Sequence, residues 1–386
     1  MDRIESLIIE GFQHLTNEEY QDSLEAFNKV LLLDAGNLEA RRGLLVVYND
    51  TTRLQEAIEL ADFLLEKDPD DIECSFYKAN ALCGIESFDE SLRLLNYVLE
   101  HDPKYSQALY ARSLVKFKQG DLDGALVDID RCISVGVKDE YTITQRGSIL
   151  LSQQKFSEAL NAFNKALRIN KNYAVAKYNR GLALRMLGNN KQAIKDVDRS
   201  FEAEEIDSEV LHQRSIILKN LGRDIEALND LDRAIEMDQG NVEVYYIRGM
   251  LQSKLGNQKE ALSDLKRAEE LREEYFQDYL LNGYAEVFRK MKKFDLAVEY
   301  ANQALETNPN FFWANATLAE ISSDKGDVGL FYKYLELAVQ GGFNASDIEE
   351  SIKDTYKSDA RFKKYLKKEK KGLWARIKTA IGFRSL

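Results

Sequence analysis

The chain has 386 residues, of which 44% are apolar and 31% charged, and a formal net charge of −12. An acidic chain is a poor nucleic-acid binder, because each phosphate contact needs a cation; no run approaches the ~20 apolar residues of a membrane helix, and the start, MDRIESLIIEGF, lacks the basic region, apolar core and cleavage site of a secretory signal. Its three cysteines, Cys74, Cys83 and Cys132, have no metal-ligand spacing and read as reduced thiols of a cytoplasmic protein.

The chain repeats with a period of 34 residues. With Gly181 as position 8, that position is small in nearly every copy (Gly11, Ala79, Ser113, Gly147, Ser215, Gly249, Ala285, Ala319), and Leu45 is the exception. Position 20 behaves alike (Ser23, Ala57, Ser91, Ala125, Ala159, Ala193, Ala227, Ala261, Ala297), with Phe331 the exception. Pro69, Pro103 and Pro309 share position 32 once a two-residue insertion near 273–276 is allowed for. Within a copy, apolar residues at 4, 8 and 11 and again at 20, 24, 27 and 28 fall at helical spacings, as in Ile143, Gly147, Leu150 and Ala159, Phe163, Ala166, Leu167. These predict two helices whose backbones approach closely at the small residues. Glycine at position 15 (Gly120, Gly188, Gly222, Gly256, Gly326) supplies the turn between them.

These residues resemble the tetratricopeptide repeat, a helix-turn-helix unit of this period. About ten copies fit between residues 4 and 341. The resemblance implies an all-α, right-handed α-solenoid stabilised by nearest-neighbour contacts, with first helices lining a concave groove and a role in holding protein partners. Segment 344–368 is expected to form C-terminal capping helices, and 369–386 a basic amphipathic tail.

In chain order, the first copy carries Ile8, Ile9, Phe12 and Leu15 on what should be the groove side. They fit a degenerate terminal repeat tucked against its neighbour, with a partner or dimer contact as the alternative.

From the third copy to the eighth, position 7 is basic: Lys78, Arg112, Arg146, Arg180, Arg214 and Arg248. This position lies on the inward stripe of the first helix, and Asp128, Asp196, Asp230 and Asp264 occupy inward position 23 of the second. The expectation is structural ion pairs within a repeat, Arg112 with Asp128, Arg180 with Asp196, Arg214 with Asp230 and Arg248 with Asp264; Arg146 is left over, because position 23 of its copy is Ala162. The motifs Asp128-Ile-Asp130, Asp196-Val-Asp198 and Asp230-Leu-Asp232 are no metal site, since residues two apart on a helix point to different faces.

By the family's geometry, positions 2, 5, 6, 9, 12 and 13 face the groove. Tyr110, Tyr178 and Tyr246 then recur at position 5 with Thr144 and His212 between them, and Gln145, Asn179 and Gln213 hold position 6. Tyrosine gives rigid amphipathic contact area, and amide side chains can satisfy a peptide backbone. Tyr77, Asn80 and Phe117 extend this surface toward the N-terminus. The alternative is that the tyrosines merely pack between first helices. Arg185, Lys219, Lys254, Arg289 and Lys290 are expected to make the far end of the groove cationic, and Glu5, Glu39, Asp50 and Glu73 the near end acidic. The Lys/Asn/Arg set with which some family members grip acidic chaperone tails is missing here: Asn179 fits its middle element, but Thr144, Ser148, Glu209 and Gln213 flank it.

Beyond the last copy, Ser346-Asp-Ile-Glu349 reads as a capping box, and Phe362, Tyr365 and Leu366 as the residues that seal the array. From Lys357 onward, eleven Lys or Arg face two acidic residues. Leu373, Trp374, Ile377, Ala380 and Ile381 share one helical face in this tail, which could lie on an anionic membrane, dock in a partner, or pack on the array.

The scattered histidines (His14, His101, His212) and the lack of a phosphate-cradling glycine loop point away from catalysis. The expectation is a scaffold or adaptor that needs no cofactor or metal and binds an extended segment of a protein partner, with no nucleic acid involved. The alternatives are a membrane-surface assembly factor anchored by 369–386 and a chaperone for unfolded clients.

Overall fold

A computed structural model of the chain describes residues 3–201, 207–271, 276–348 and 350–368, and the described residues are helical throughout apart from turns. The chain divides into two compact units, the first ending at Asn179 and the second beginning at Arg180.

The first unit holds α1 (Arg3–Thr16), α2 (Tyr20–Leu33), α3 (Leu38–Asp50), α4 (Leu54–Lys67), α5 (Ile72–Gly84), α6 (Phe88–His101), α7 (Ser106–Lys118), α8 (Leu122–Ser134), α9 (Glu140–Ser152) and α10 (Phe156–Ile169). The boundary falls inside α11 (Ala174–Met186). The second unit continues with α12 (Asn190–Phe201), α13 (Ser208–Asn220), α14 (Asp224–Met237), α15 (Val242–Lys254), α16 (Gln258–Leu271), α17 (Gln277–Lys290), α18 (Phe294–Thr307), α19 (Phe312–Asp324) and α20 (Val328–Gly341). It closes with α21 (Glu350–Tyr356) and α22 (Ala360–Lys368). Within each unit, odd and even helices form antiparallel hairpins, and each hairpin packs on the next, the arrangement of an α-solenoid.

The repeated small residues explain the close packing. A Cβ at Gly147 would stand 2.5 Å from Cε1 of Phe163, and one at Gly11 2.6 Å from Cε1 of Phe27, so the second helix's aromatic ring fills the space that glycine leaves. At Ser91 and Ser113 the hydroxyl is satisfied by the facing helix, Ser91 donating to the Ala79 carbonyl at 2.7 Å and Ser113 to that of Ala125 at 2.9 Å, whereas Ser215 donates to the His212 carbonyl of its own helix at 2.6 Å.

The hairpin turns need a left-handed residue at position 15, and only half of them have glycine there. Gly120, Gly188, Gly222, Gly256 and Gly326 take φ between +72° and +92°; Glu18, Thr52, Glu86, Gln154 and Lys292 take φ between +56° and +62° at the same position. Asn37, Asp71, Asp139, Asp207 and Asn241 each cap the following first helix by accepting a backbone N–H near its start.

The first and last described helices are covered by apolar side chains of their own unit. Ile8 is buried and Phe12 meets Phe27 edge-on at 5.0 Å, whereas Ile9 stays 44% exposed. At the other end Phe331 stacks on Tyr356 at 4.1 Å and Phe362 is fully buried beside them. Ser346 and Asp347 lie in a 3-10 turn, Ala345–Asp347, rather than at a helix start, and the helix opens at Glu350. Glu349, the Leu366 side chain and the basic tail 369–386 lie outside the described residues.

Candidate functional site: the first-helix face of each unit

In the first unit α5, α7 and α9 enclose an open cavity of about 350 Å³, lined among others by Phe76, Asn80, Tyr110, Leu114, Asp139 and Tyr141. Two of the groove residues expected from sequence, Asn80 and Tyr110, are therefore on its wall. Asn80 is exposed and Tyr110 half-buried, and burial pushes the Tyr110 hydroxyl up. Tyr77 is half-buried edge-on to Phe76 at 5.2 Å, and burial pushes its hydroxyl up to about 12. Phe117 packs on the core of this unit. Thr144 is buried, with its hydroxyl unpartnered among the described residues. Tyr178 and Asn179 are half-buried at the unit's last residues.

The second unit treats its candidates differently. His212 is only 2% exposed, held between Glu209 at 3.4 Å and Glu243 at 3.9 Å, so it is a packing residue and not a free groove side chain. Gln213 accepts from Arg185 at 3.2 Å and donates to Glu209 at 2.7 Å. Tyr246 lies edge-on to Phe276 at 5.3 Å and Tyr279 at 6.3 Å, and burial drives its hydroxyl far up. It too belongs to the packing between first helices.

The expected cationic end is compensated. Arg289 is 4% exposed and meets Glu320 at 2.9 Å and Asp324 at 2.8 Å, while Lys254 meets Asp224 at 2.7 Å. Glu286 is pushed up to about 7, first by burial and then by the Glu320 charge, against the pull of Arg289, Lys290 and Lys219. Burial lowers the Lys219 ammonium. Glu286 and Glu320, the acids missed from sequence, stand 34 residues apart at position 9.

The position-7 residues are not aligned along an open track. Arg112 grips buried Asp128 through Nε at 2.8 Å and Nη2 at 2.6 Å, with Lys116 on the same carboxylate at 2.7 Å. Burial would raise that carboxyl, but these two cations hold it below its ordinary value. Arg180 binds Asp196 at 2.7 and 2.8 Å, Arg214 binds Asp230 at 3.0 and 3.1 Å, and Arg248 binds Asp264 at 2.9 and 2.7 Å.

Several position-7 cations also reach back to position 25 of the preceding hairpin. Arg112 donates to Asn96 at 2.8 Å, Arg214 to Asp198 at 2.8 Å and Arg248 to Asp232 at 2.7 Å; Lys78 meets Asp62 at 2.8 Å. Arg146, expected to be without an aspartate, has Asp130 at 2.6 Å in this way. The Asp-x-Asp motifs thus serve two arginines each, one on either side of the second helix.

An array of helical hairpins, each packed on the next, defines a helical-repeat protein. The comparisons carry this further. A TPR repeat model matches residues 147–195, and tetratricopeptide repeat models match 13–72, 78–131, 242–275 and 279–311, together more than half of the sequence. The chain belongs to the tetratricopeptide-repeat family. It is 23% identical over 206 residues to the peroxisomal targeting signal receptor of Saccharomyces cerevisiae, covering 50% of this chain and 33% of that one. To superkiller protein 3 of the same yeast it is 30% identical over 90 residues, covering 23% of this chain and 6% of that one. It therefore spans a third or less of the length of these curated relatives. Similar solved structures include the APC/C hetero-tetramer Cut9-Hcn1 (14% identity, 95% of this chain and 96% of that one, TM-score 0.47) and yeast Tom70 (16% identity, 96% and 98%, TM-score 0.41). No helix among the described residues is long and apolar enough to cross a membrane.

Proposed function

We propose that the protein is a scaffold or adaptor that holds an extended segment of a partner protein against its first helices, with the cavity of the first unit as a principal contact. The observation that carries this is the cavity itself: mainly apolar in lining, roomy enough for a large side chain, and with Asn80 and Tyr110 on its wall. Polar side chains among its lining residues suit a polypeptide backbone passing over it.

Tyr246 and His212 take no part in this proposal, because both are engaged in packing. The test is quantitative co-purification from native lysate with wild type and with Tyr110→Ala/Leu114→Lys, after circular dichroism shows that both fold alike. Selective loss of a partner supports the proposal. Identical partner sets with both proteins contradict it, and capture of many unrelated unfolded proteins by both would favour a general chaperone.

A further inference from the structure

The cavity of the first unit has a charge as well as a shape. Phe76, Ala111, Leu114, Cys132 and Val137 give it apolar lining, and among the described residues no lysine or arginine lines it. Asp139 is the one carboxylate on its wall. One oxygen of Asp139 caps α9, accepting from the Thr142 N–H at 2.7 Å, and no other hydrogen bond ties that side chain among the described residues. Beside it Tyr141 is 56% exposed and meets the ring of Tyr173 edge-on at 5.1 Å. A carboxylate next to an exposed tyrosine is the chemistry that receives a guanidinium or ammonium group. The field reaches inward too: after burial, the Asp139 charge is the next cause pushing up both the Tyr110 hydroxyl and the Cys132 thiol.

We infer that this cavity selects partner segments in which a bulky apolar residue, seated on Leu114 and Phe76, adjoins an arginine or lysine held by Asp139 and Tyr141. The inference rests on the proposed use of the first-helix face and adds the chemical class of its ligand. An acidic segment is disfavoured at the same place, since its carboxylate would meet Asp139 with no cation among the lining residues.

The test uses the full chain as bait for a phage-displayed library of random dodecapeptides, and the recovered peptides are then titrated by fluorescence anisotropy onto wild type and three variants. Asp139→Asn keeps a helix cap but removes the charge, Tyr141→Ala alters an exposed side chain, and Leu114→Lys fills the cavity. The expected result is an apolar residue beside Arg or Lys in the recovered peptides, with affinity weakened about tenfold by Asp139→Asn and lost with Leu114→Lys. Peptides that need Leu114 but lack a basic residue and ignore Asp139→Asn would overturn the inference while leaving the groove as the site. Peptides that bind all three variants like wild type, or recovery of none, would overturn the groove as well.

Discussion

Arg214 stands between two aspartates of different hairpins, donating through Nε to Asp198 at 2.8 Å and through Nη1 to Asp230 at 3.0 Å. The two contacts differ in kind, because the Asp230 side chain is 5% exposed and that of Asp198 43% exposed. Arg214→Ala leaves Asp230 buried without a counter-charge and should cost about 3 kcal/mol. Asp198→Asn should cost under about 1 kcal/mol. Urea denaturation of both variants checks the contrast; equal losses would mean that the buried pair is not the one that matters.

Thr52 is a β-branched residue at φ +56°, on an exposed turn where other copies use glycine. The left-handed conformation costs a non-glycine residue about 1–2 kcal/mol. Part of that is returned by the greater unfolded-state freedom of glycine. Thr52→Gly should therefore stabilise the protein by about 0.5–1 kcal/mol, read as a higher melting temperature.

Burial, and after it the Glu320 charge, pushes the Glu286 carboxyl up to about 7 from its ordinary 4.5. Its folded pKa is raised, so the folded chain binds more protons than the unfolded one between these values. Stability contributed by this group is full below about 4.5 and is lost as pH rises through about 7. Glu286→Gln should flatten that part of the stability profile and gain about 2 kcal/mol over wild type at pH 8. Denaturation midpoints at pH 5, 6.5 and 8 test this.

Tyr246 and Asn80 occupy first helices of different units with opposite surroundings, one wedged against Phe276 and Tyr279, the other exposed at a cavity mouth. Tyr246→Ala should lower stability by about 3 kcal/mol through the lost aromatic packing. Asn80→Ala should change stability by under about 0.5 kcal/mol. Thermal melts of the two variants separate these roles.

The hairpin architecture was legible because one physical requirement, close approach of two helices, forces small residues to positions 8 and 20 of nearly every copy, Leu45 and Phe331 apart. The salt-bridge pattern was half legible. Searching position 23 found Asp128, Asp196, Asp230 and Asp264, but not Asp130 or Asp198. A second helix lies between its own first helix and the next one, and residues two apart, separated by about 200° around the axis, face one each. The site was least legible. His212 is buried by two glutamates at position 2 of successive copies, and Tyr246 by Phe276 just past the insertion, neighbours that a single copy does not display. Asp139 precedes its helix as a cap, so the groove positions, which count only helix faces, passed over it.

Arg214 and Arg248 join three successive hairpins by way of Asp198, Asp230, Asp232 and Asp264. The links that cross from one hairpin to the next, Arg214 to Asp198 and Arg248 to Asp232, end on exposed carboxylates, whereas Asp230 and Asp264 are buried inside their own hairpins. Under tension the hairpins should therefore part from one another first, each keeping its own buried pair until it unfolds.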